Sequence, residues 1–380
     1  MNFEHTEDRR MLADTLNRFV SEQYGFETRN AIAYGDVGMA PALWNQFAEL
    51  GAIGALFAED DGGFGGAGFD IAVVFEALGR GLVVEPFLGA LMVGRALAAV
   101  GTSAQKALIA NLVDGSSIAA LAHDEPGSHY ELSRVATRAE RNADGWTLSG
   151  AKAVVLQGDH ANLLLVSART SGEVDSEDGI SLFLVPADAA GLSRRGMGRM
   201  DGGRVAEITL DKVQVGADAL LGAEGRGLAT LEVAVGAGVL ALCAEAVGAM
   251  EVAKRDTLEY LQTRKQFGVA IGSFQALQHR MADMYIHLEQ ARSMAMLAAA
   301  RMSCGDPGER RRIISAAKVR VGQAAKFIGQ QAVQLHGGMG VTDELPAAHH
   351  FKRLAMIELT LGDIDHHLER YTAQSAFQQF

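Results

Sequence analysis

At 380 residues, with 48% hydrophobic and 21% charged side chains, the chain can form two or three packed domains and is too apolar to remain disordered. A formal net charge of -12 sets up a field that repels nucleic acid and anionic membranes. The two cysteines, Cys243 and Cys304, are too few for a disulfide framework and read as free thiols in a reducing compartment.

The first eight residues, Met1 to Asp8, lack a basic segment followed by an apolar one, so no signal peptide is expected and the expected location is cytoplasmic. From Thr6 to about Asp114 the pattern is helical. Leu12, Leu16, Phe19 and Val20 share one face, and apolar helices follow around Pro41–Gly51, Ile71–Gly79 and Phe87–Val100. From about Ser117 to Gly216 the period shortens. Trp146–Leu148, Val154–Leu156, Leu163–Val166, Ile180–Val185 and Val205–Leu210 read as short strands punctuated by Gly, Asp and Asn. No helix of useful length lies between them, which predicts an antiparallel barrel or sandwich. From about Gly225 the helical period returns. Phe274, Leu277, Met281, Met284, Leu288 and Ala291 form an apolar stripe, and Lys318 to Gln334 forms a second stretch ending at Gly337-Gly338. No apolar run is expected to approach the ~20 uncharged residues of a membrane span. The expected fold class is α+β: a helical domain over 1–115, a β-barrel domain over 116–220 and a four-helix-type bundle over 221–380.

Gly63-Phe64-Gly65-Gly66-Ala67-Gly68 matches G-x-G-x-x-G, but no strand precedes it and no βαβ unit surrounds it, so a flexible interhelical loop is the better reading. His349-His350 and His366-His367 are adjacent pairs whose side chains diverge by about 100° on a helix. They make poor joint ligands, no metal site is expected, and solvated helix faces or a subunit contact account for them. Arg264-Lys265-Gln266-Phe267-Gly268, followed by Phe274-Gln275 and Met281-Ala282-Asp283-Met284, is harder to dismiss. A guanidinium suits bidentate binding of a pyrophosphate, and an aromatic beside it can pack on a flavin or adenine ring. Gln334 and Gly337-Gly338 add an amide and room for close backbone approach.

These blocks resemble the acyl-CoA dehydrogenase family. The likeness extends to Ala58–Gly66, Asp124-Glu125-Pro126-Gly127, Leu148-Ser149-Gly150-Ala151-Lys152 and Gln334–Gly340, and so covers nearly the whole chain. It implies an N-terminal helical domain, a middle β domain, a C-terminal bundle, and FAD held between two chains of a tetramer. It also implies an acyl-CoA substrate, for which the net charge demands local positive charge, and an electron-transferring flavoprotein as acceptor. In the family one chain lends Arg-x-x-Phe-Gly and Gln-x-x-Gly-Gly to the FAD, and this chain keeps that set as Arg264, Gln266, Phe267, Ile271, Phe274, Gln334, Gly337 and Gly338.

The opposite set is altered. The family's flavin-contacting Trp-Ile-Thr falls on Val154-Val155-Leu156, and its small Gly and Ser after Thr-Glu-Pro-Gly fall near His129 and Tyr130. The catalytic Glu before Gly-Thr falls on Leu361, and the alternative base position falls on Gly238, followed by Val239. Removal of a weakly acidic α-proton demands a positioned, desolvated base, whose loss costs at least ~10²-fold in rate. Asp363 is the one nearby carboxylate, to be read as a base or as a helix cap. The tail Leu361-Gly362-Asp363 is similar to the small subunits of pimeloyl-CoA dehydrogenases and related heteromeric α2β2 enzymes. That likeness implies a base-deficient subunit acting in the degradation of dicarboxylic, fatty or steroid-side-chain acyl groups. A self-sufficient homo-oligomer using Asp363, and a non-enzymatic scaffold with this fold, are the alternatives.

Overall fold

The computed structural model describes residues 3–373. The chain opens with helices α1 (Glu7–Gln23), α2 (Phe26–Ala33), α3 (Pro41–Glu49), α4 (Gly68–Gly81), α5 (Phe87–Val100), α6 (Ser103–Lys106) and α7 (Leu108–Val113). Strands follow as β1 (Ala119–Ala122), β2 (Arg138–Arg141), β3 (Gly145–Leu156), β4 (Leu163–Arg169), β5 (Ile180–Pro186), β6 (Leu192–Gly198), β7 (Arg204–Gly216) and β8 (Leu220–Leu221). Helix α8 (Gly227–Thr263) leads through β9 (Lys265–Gln266) and β10 (Val269–Ala270) to α9 (Gln275–Arg301), α10 (Pro307–His336), α11 (Pro346–Leu359) and α12 (Ile364–Thr372). Two compact units result. A helical unit takes the residues up to Ala31, Ala67–Val83 and those from Val239 on; a β unit takes Ile32–Gly66 and Val84–Gly238.

In the β unit the strands run in the order β6-β7-β3-β2-β4-β5-β8. β4 and β5 pair antiparallel from Leu163↔Pro186 to Arg169↔Ile180, and nearly every side chain on both is buried, so they read as continuous apolar runs. Trp146, Leu148, Leu164, Val166, Phe183, Ile208 and Val213 fill the core, with the Trp146 and Phe183 rings edge to face at 5.3 Å. The expectation of a purely antiparallel sheet needs correction. β1 pairs parallel to β4 over Ala119–Ala122, and β2 meets β4 in parallel at Arg138↔Arg169. β1 and β2 thus share one edge of β4, and the loop between them must leave the sheet. Trp146–Leu148 and Val154–Leu156 are two ends of one strand, β3, broken in register between Leu148 and Gly150 and between Lys152 and Val155.

The β1–β2 loop is held by buried charge. Lys152 Nζ lies 2.6 Å from Glu125 Oε1 and also donates to His123 O and Ser167 Oγ. Glu125 in turn accepts from the backbone N–H groups of Ala136 at 2.6 Å and Thr137 at 3.0 Å. Burial pulls Lys152 down to about 8 against the pull of Glu125. Desolvation raises the Glu125 carboxyl, but Lys152, Thr137 and Ala136 together bring it below the ordinary range. Beside it Arg169, 1% exposed, donates to the carbonyls of Ser133, Val135, Val174, Ser176 and Asp178.

In the helical unit α9, α11 and α12 pack on α10, and α4 packs on α1 and α9. α4 and α8 cross through reciprocal glycines. A Cβ on Gly79 would lie 2.0 Å from Glu245 O, and one on Gly248 would lie 2.0 Å from Glu76 O. Only glycine permits that approach. Glu245 is buried and forked by Arg353 at 2.6 and 2.8 Å, clasping α8 to α11. α8 is long and apolar enough by composition to cross a membrane, although Glu232 and Glu245 break its uncharged stretch well short of ~20 residues. One of its 18-residue windows has a mean hydropathy of 1.9, yet 89% of that window is buried inside the protein. The apolar run is a largely buried core helix.

Lys152→Met leaves the Glu125 carboxylate buried without its cation and should cost about 3–5 kcal/mol in denaturant unfolding. Adding Glu125→Gln should recover part of the loss. An unchanged unfolding midpoint in Lys152→Met would refute this account of the loop.

Candidate functional site

At the end of α8 the chain turns back in a two-residue hairpin. Gln266 pairs with Val269, and the turn residues Phe267 and Gly268 have φ of 55° and 81°. Two successive left-handed residues are the signature of the hairpin turn whose twist matches that of its strands, and they favour Asn or Gly at both positions. Phe267 accepts the strained conformation while 90% of its surface faces solvent. Its only ring contact among the described residues is with Phe274, edge to face at 6.1 Å. The hairpin is bracketed by Arg264 N–H donating to Tyr260 O and Ile271 N–H donating to Arg264 O, each at 2.8 Å. Arg264 and Gln266 are exposed, and Ile271 begins the 3-10 turn that ends at Phe274.

Gln334 stands exposed at the end of α10, where Gly337 has φ of 62°. A Cβ on Gly337 or Gly338 would meet nothing within 4 Å, whereas one on Gly340 would lie 2.3 Å from Val333 O. Gly340 is therefore required by internal packing. Gly337 owes its glycine to the positive φ of the α10 C-cap, and Gly338 leaves open backbone that packing does not explain. The Tyr260 ring packs at 4.5 Å on His336, joining the end of α8 to the end of α10. That contact brings the Arg264 and Gln334 elements together, and the sequence did not single it out.

Leu361 lies at a second turn of the same unit, also left-handed at φ 58°. The turn is built around Lys318, whose buried Nζ donates to the carbonyls of Glu358, Thr360 and Gly362 at 2.9, 2.8 and 2.5 Å. Burial draws Lys318 down to about 8, opposed by Cys243, Glu358 and Asp363. Sequence reading missed Lys318. Its signal is a cation four residues from Ile314 and three from Val321 on an apolar face of α10. Leu361 O is bonded to His367 Nε2 at 2.9 Å. Asp363 is the N-cap of α12, its Oδ1 accepting from His366 N–H at 2.8 Å. Gly238 is buried within α8 and offers no side chain.

In the β unit Val154 occupies the bulge of β3 with φ 53° and is 58% exposed. A β-branched residue is a backbone outlier there. Ala153 N–H donates to Asp124 O at 2.8 Å, so this bulge and the Asp124–Tyr130 loop form one structure. Burial raises the Asp124 carboxyl, with Lys152 opposing. His129 and Tyr130 have φ of 48° and 69°. Among the described residues eight non-glycines have positive φ, and His129, Tyr130, Val154, Phe267 and Leu361 are five of them. The backbone strain therefore concentrates at the motif positions.

Two expectations resolve otherwise. Gly63, Gly65 and Gly66 donate their N–H groups to Ala58, Phe57 and Ala55 carbonyls, and a Cβ on Gly63 or Gly65 would collide with backbone oxygens. The loop is folded on itself and tied down, with those three amides engaged. The histidine pairs are not solvated: His349, His350 and His367 are buried because α11 and α12 are packed into the unit, and only His366 is half-exposed. His349 Nε2 pairs with Asp343 O at 3.0 Å and His367 Nδ1 with Ser315 Oγ at 3.3 Å. Among the described residues no three His, Cys, Asp or Glu side chains gather into a metal site.

Phe267→Gly should relieve the turn and hold or raise the thermal unfolding temperature, since a left-handed bulky residue costs about 1–2 kcal/mol. A drop of several degrees would show the ring to be a packing residue instead.

Three family models match this chain in order: the N-terminal domain of acyl-CoA dehydrogenases over residues 6–115, the middle domain over 120–213 and the C-terminal domain over 225–375. The probable acyl-CoA dehydrogenase YngJ of Bacillus subtilis is 29% identical over 370 residues, covering 95% of this chain and 96% of its own. A solved Tcur3481-Tcur3483 steroid ACAD variant superposes with a TM-score of 0.86 at 30% identity, covering 96% of each chain. The ChsE4-ChsE5 complex of Mycobacterium tuberculosis superposes with a TM-score of 0.89 at 26% identity, covering 99% of each chain.

Proposed function

This chain belongs to the acyl-CoA dehydrogenase family, whose members are flavin-dependent oxidoreductases, and from that premise we propose that it is the base-deficient subunit of a heteromeric enzyme. The observation that carries the reading is the Leu361 turn. Its backbone is held by Lys318 in a strained conformation, the side chain it presents is an alkyl group, and the neighbouring Asp363 is spent on a helix cap. An alkyl side chain cannot accept the α-proton of an acyl thioester.

The FAD-gripping side fits its ligand and the flavin-facing side does not. Arg264 places an exposed guanidinium suited to a pyrophosphate, Phe267 an exposed ring, Gln334 an amide, and Gly337-Gly338 open backbone. Val154 offers a small exposed alkyl group where the family packs an indole on the isoalloxazine. FAD, when bound, takes the hydride from the acyl β-carbon. This chain's part is to hold the dinucleotide in a site completed by a second subunit that keeps its own Glu. The ChsE4-ChsE5 complex and the Tcur3481-Tcur3483 steroid ACAD support a two-subunit assembly, and the second of them favours a steroid-type acyl-CoA as substrate. An electron-transferring flavoprotein is the acceptor in this reading.

Expressed alone, the chain should hold far less than stoichiometric FAD and fail to turn over acyl-CoA. Copurified with a Glu-bearing partner, it should show one FAD for each pair of unlike chains, and Arg264→Met should weaken FAD retention by about tenfold, as loss of a charge-assisted contact does. Stoichiometric FAD with turnover by the chain alone would sink the proposal. Asp363→Asn separates the alternative, because Asn caps a helix as well as Asp. Turnover of the assembly should be unchanged, and its abolition with FAD retained would make Asp363 the base.

A further inference from the structure

A cavity of about 390 Å3 opens in the helical unit, lined by the C-terminal half of α8, the start of α11 and residues of α1, α2 and α4. None of the residues assigned above to FAD or to the Leu361 turn lines it. His350 does. It is 3% exposed, and among the described residues its Nδ1 has no hydrogen-bond partner, an unusual state for a buried ring nitrogen.

The field at this ring is positive. Burial first and then Arg29, Arg255 and His349 drive His350 down to about 3, and no carboxylate is among the charges acting on it. The neutral ring can still donate from Nδ1 in the tautomer that carries its proton there. Arg29 is fixed by Leu82 O, Asn30 Oδ1 and His349 Nδ1 at 3.3, 3.0 and 3.2 Å. Arg80, also in the lining, is taken up by Glu76 and Glu251. Arg255 differs. Among the described residues it pairs only with its sequence neighbour Asp256, and its side chain is 66% exposed, leaving guanidinium donors for a ligand. Val20, Tyr24, Val252 and Pro346 supply apolar wall. The volume falls in the range of small-molecule sites, roughly 300–1,000 Å3.

We propose that this cavity binds a small carboxylate with a short apolar body, its head received by Arg255 and the Nδ1 of His350 and its tail by the apolar wall. The site is separate from the flavin grip and does not depend on the subunit reading above.

Calorimetric titration of the full chain with hexanoate, hexanamide and inorganic phosphate tests the assignment. Hexanoate should bind saturably at one site per chain, and the neutral hexanamide should bind about tenfold or more weakly, the usual worth of a charge-assisted pair. Arg255→Gln and His350→Phe should each weaken hexanoate by a similar factor. Arg255 is exposed enough that its variant folds, so it decides the matter if His350→Phe does not. Absence of saturable hexanoate binding would overturn the proposal, as would binding that Arg255→Gln leaves unchanged. Phosphate binding as tightly as hexanoate would overturn the carboxylate class, because the apolar wall would then contribute nothing.

Discussion

Left-handed backbone at bulky side chains is the constraint to which the candidate site returns at every point. Phe267, Leu361, Val154, His129 and Tyr130 all hold φ between 48° and 69°. Each pays a local cost that only surrounding structure can impose. At Leu361 the imposing structure is Lys318 with its three carbonyls, at Val154 the tie between Ala153 and Asp124, and at Phe267 the pairing of Gln266 with Val269. The conformation is thus set by backbone hydrogen bonds, and one Cβ-bearing side chain can replace another at each position without releasing the strain, which only glycine relieves.

That separation explains how one turn could lose its chemistry and keep its shape. A carboxylate at position 361 would hang from the same backbone, since Lys318 binds carbonyls and not the side chain. Replacing it by an alkyl group therefore costs the fold nothing that Lys318 supplies. The elements that match the family's FAD motifs show the opposite economy. Phe267 is strained and almost fully exposed, and Gly338 leaves unfilled space, so neither is explained by the packing of this chain, whereas Gly337 is set by the positive φ of the α10 C-cap. Features that stability does not require are best explained by a ligand or partner outside the chain.

Much of the architecture was legible because its signals are local. The switch of period near Ser117 and back near Gly225 reports alternation and helical stripes that need only neighbouring residues. The Arg264–Gly268 and Gln334–Gly338 blocks stand out as strings, and the contact of Tyr260 with His336 joins the helix ends that carry them. What the string hid was long-range. The parallel pairing of β1 with β4 depends on residues about forty positions apart. The burial of His349, His350 and His367 depends on how α11 and α12 seat against the rest of their unit, and a polar residue on a short helix reads as solvated until its neighbours are known. α8 shows that length and apolarity by composition cannot separate a core helix from a membrane span, since most of its apolar window is buried.

Asp363 shows why position in a motif is a weaker guide than engagement. The sequence offered it as the one carboxylate near Leu361, and as a cap or a base it occupies the same place in the string. In the structure its Oδ1 is committed to the His366 N–H, and its backbone is extended at φ -84° and ψ -177°, the conformation of a helix cap. A general base must meet the proton it removes with a free lone pair and correct aim, and a cap directs its carboxylate along the helix axis toward the first turn. Serving as base would require leaving the cap, exposing an α12 amide and surrendering about 1 kcal/mol of helix stability. A Glu ahead of the glycine in such a turn would need no such exchange, which is why we propose that the chemistry falls to a partner chain.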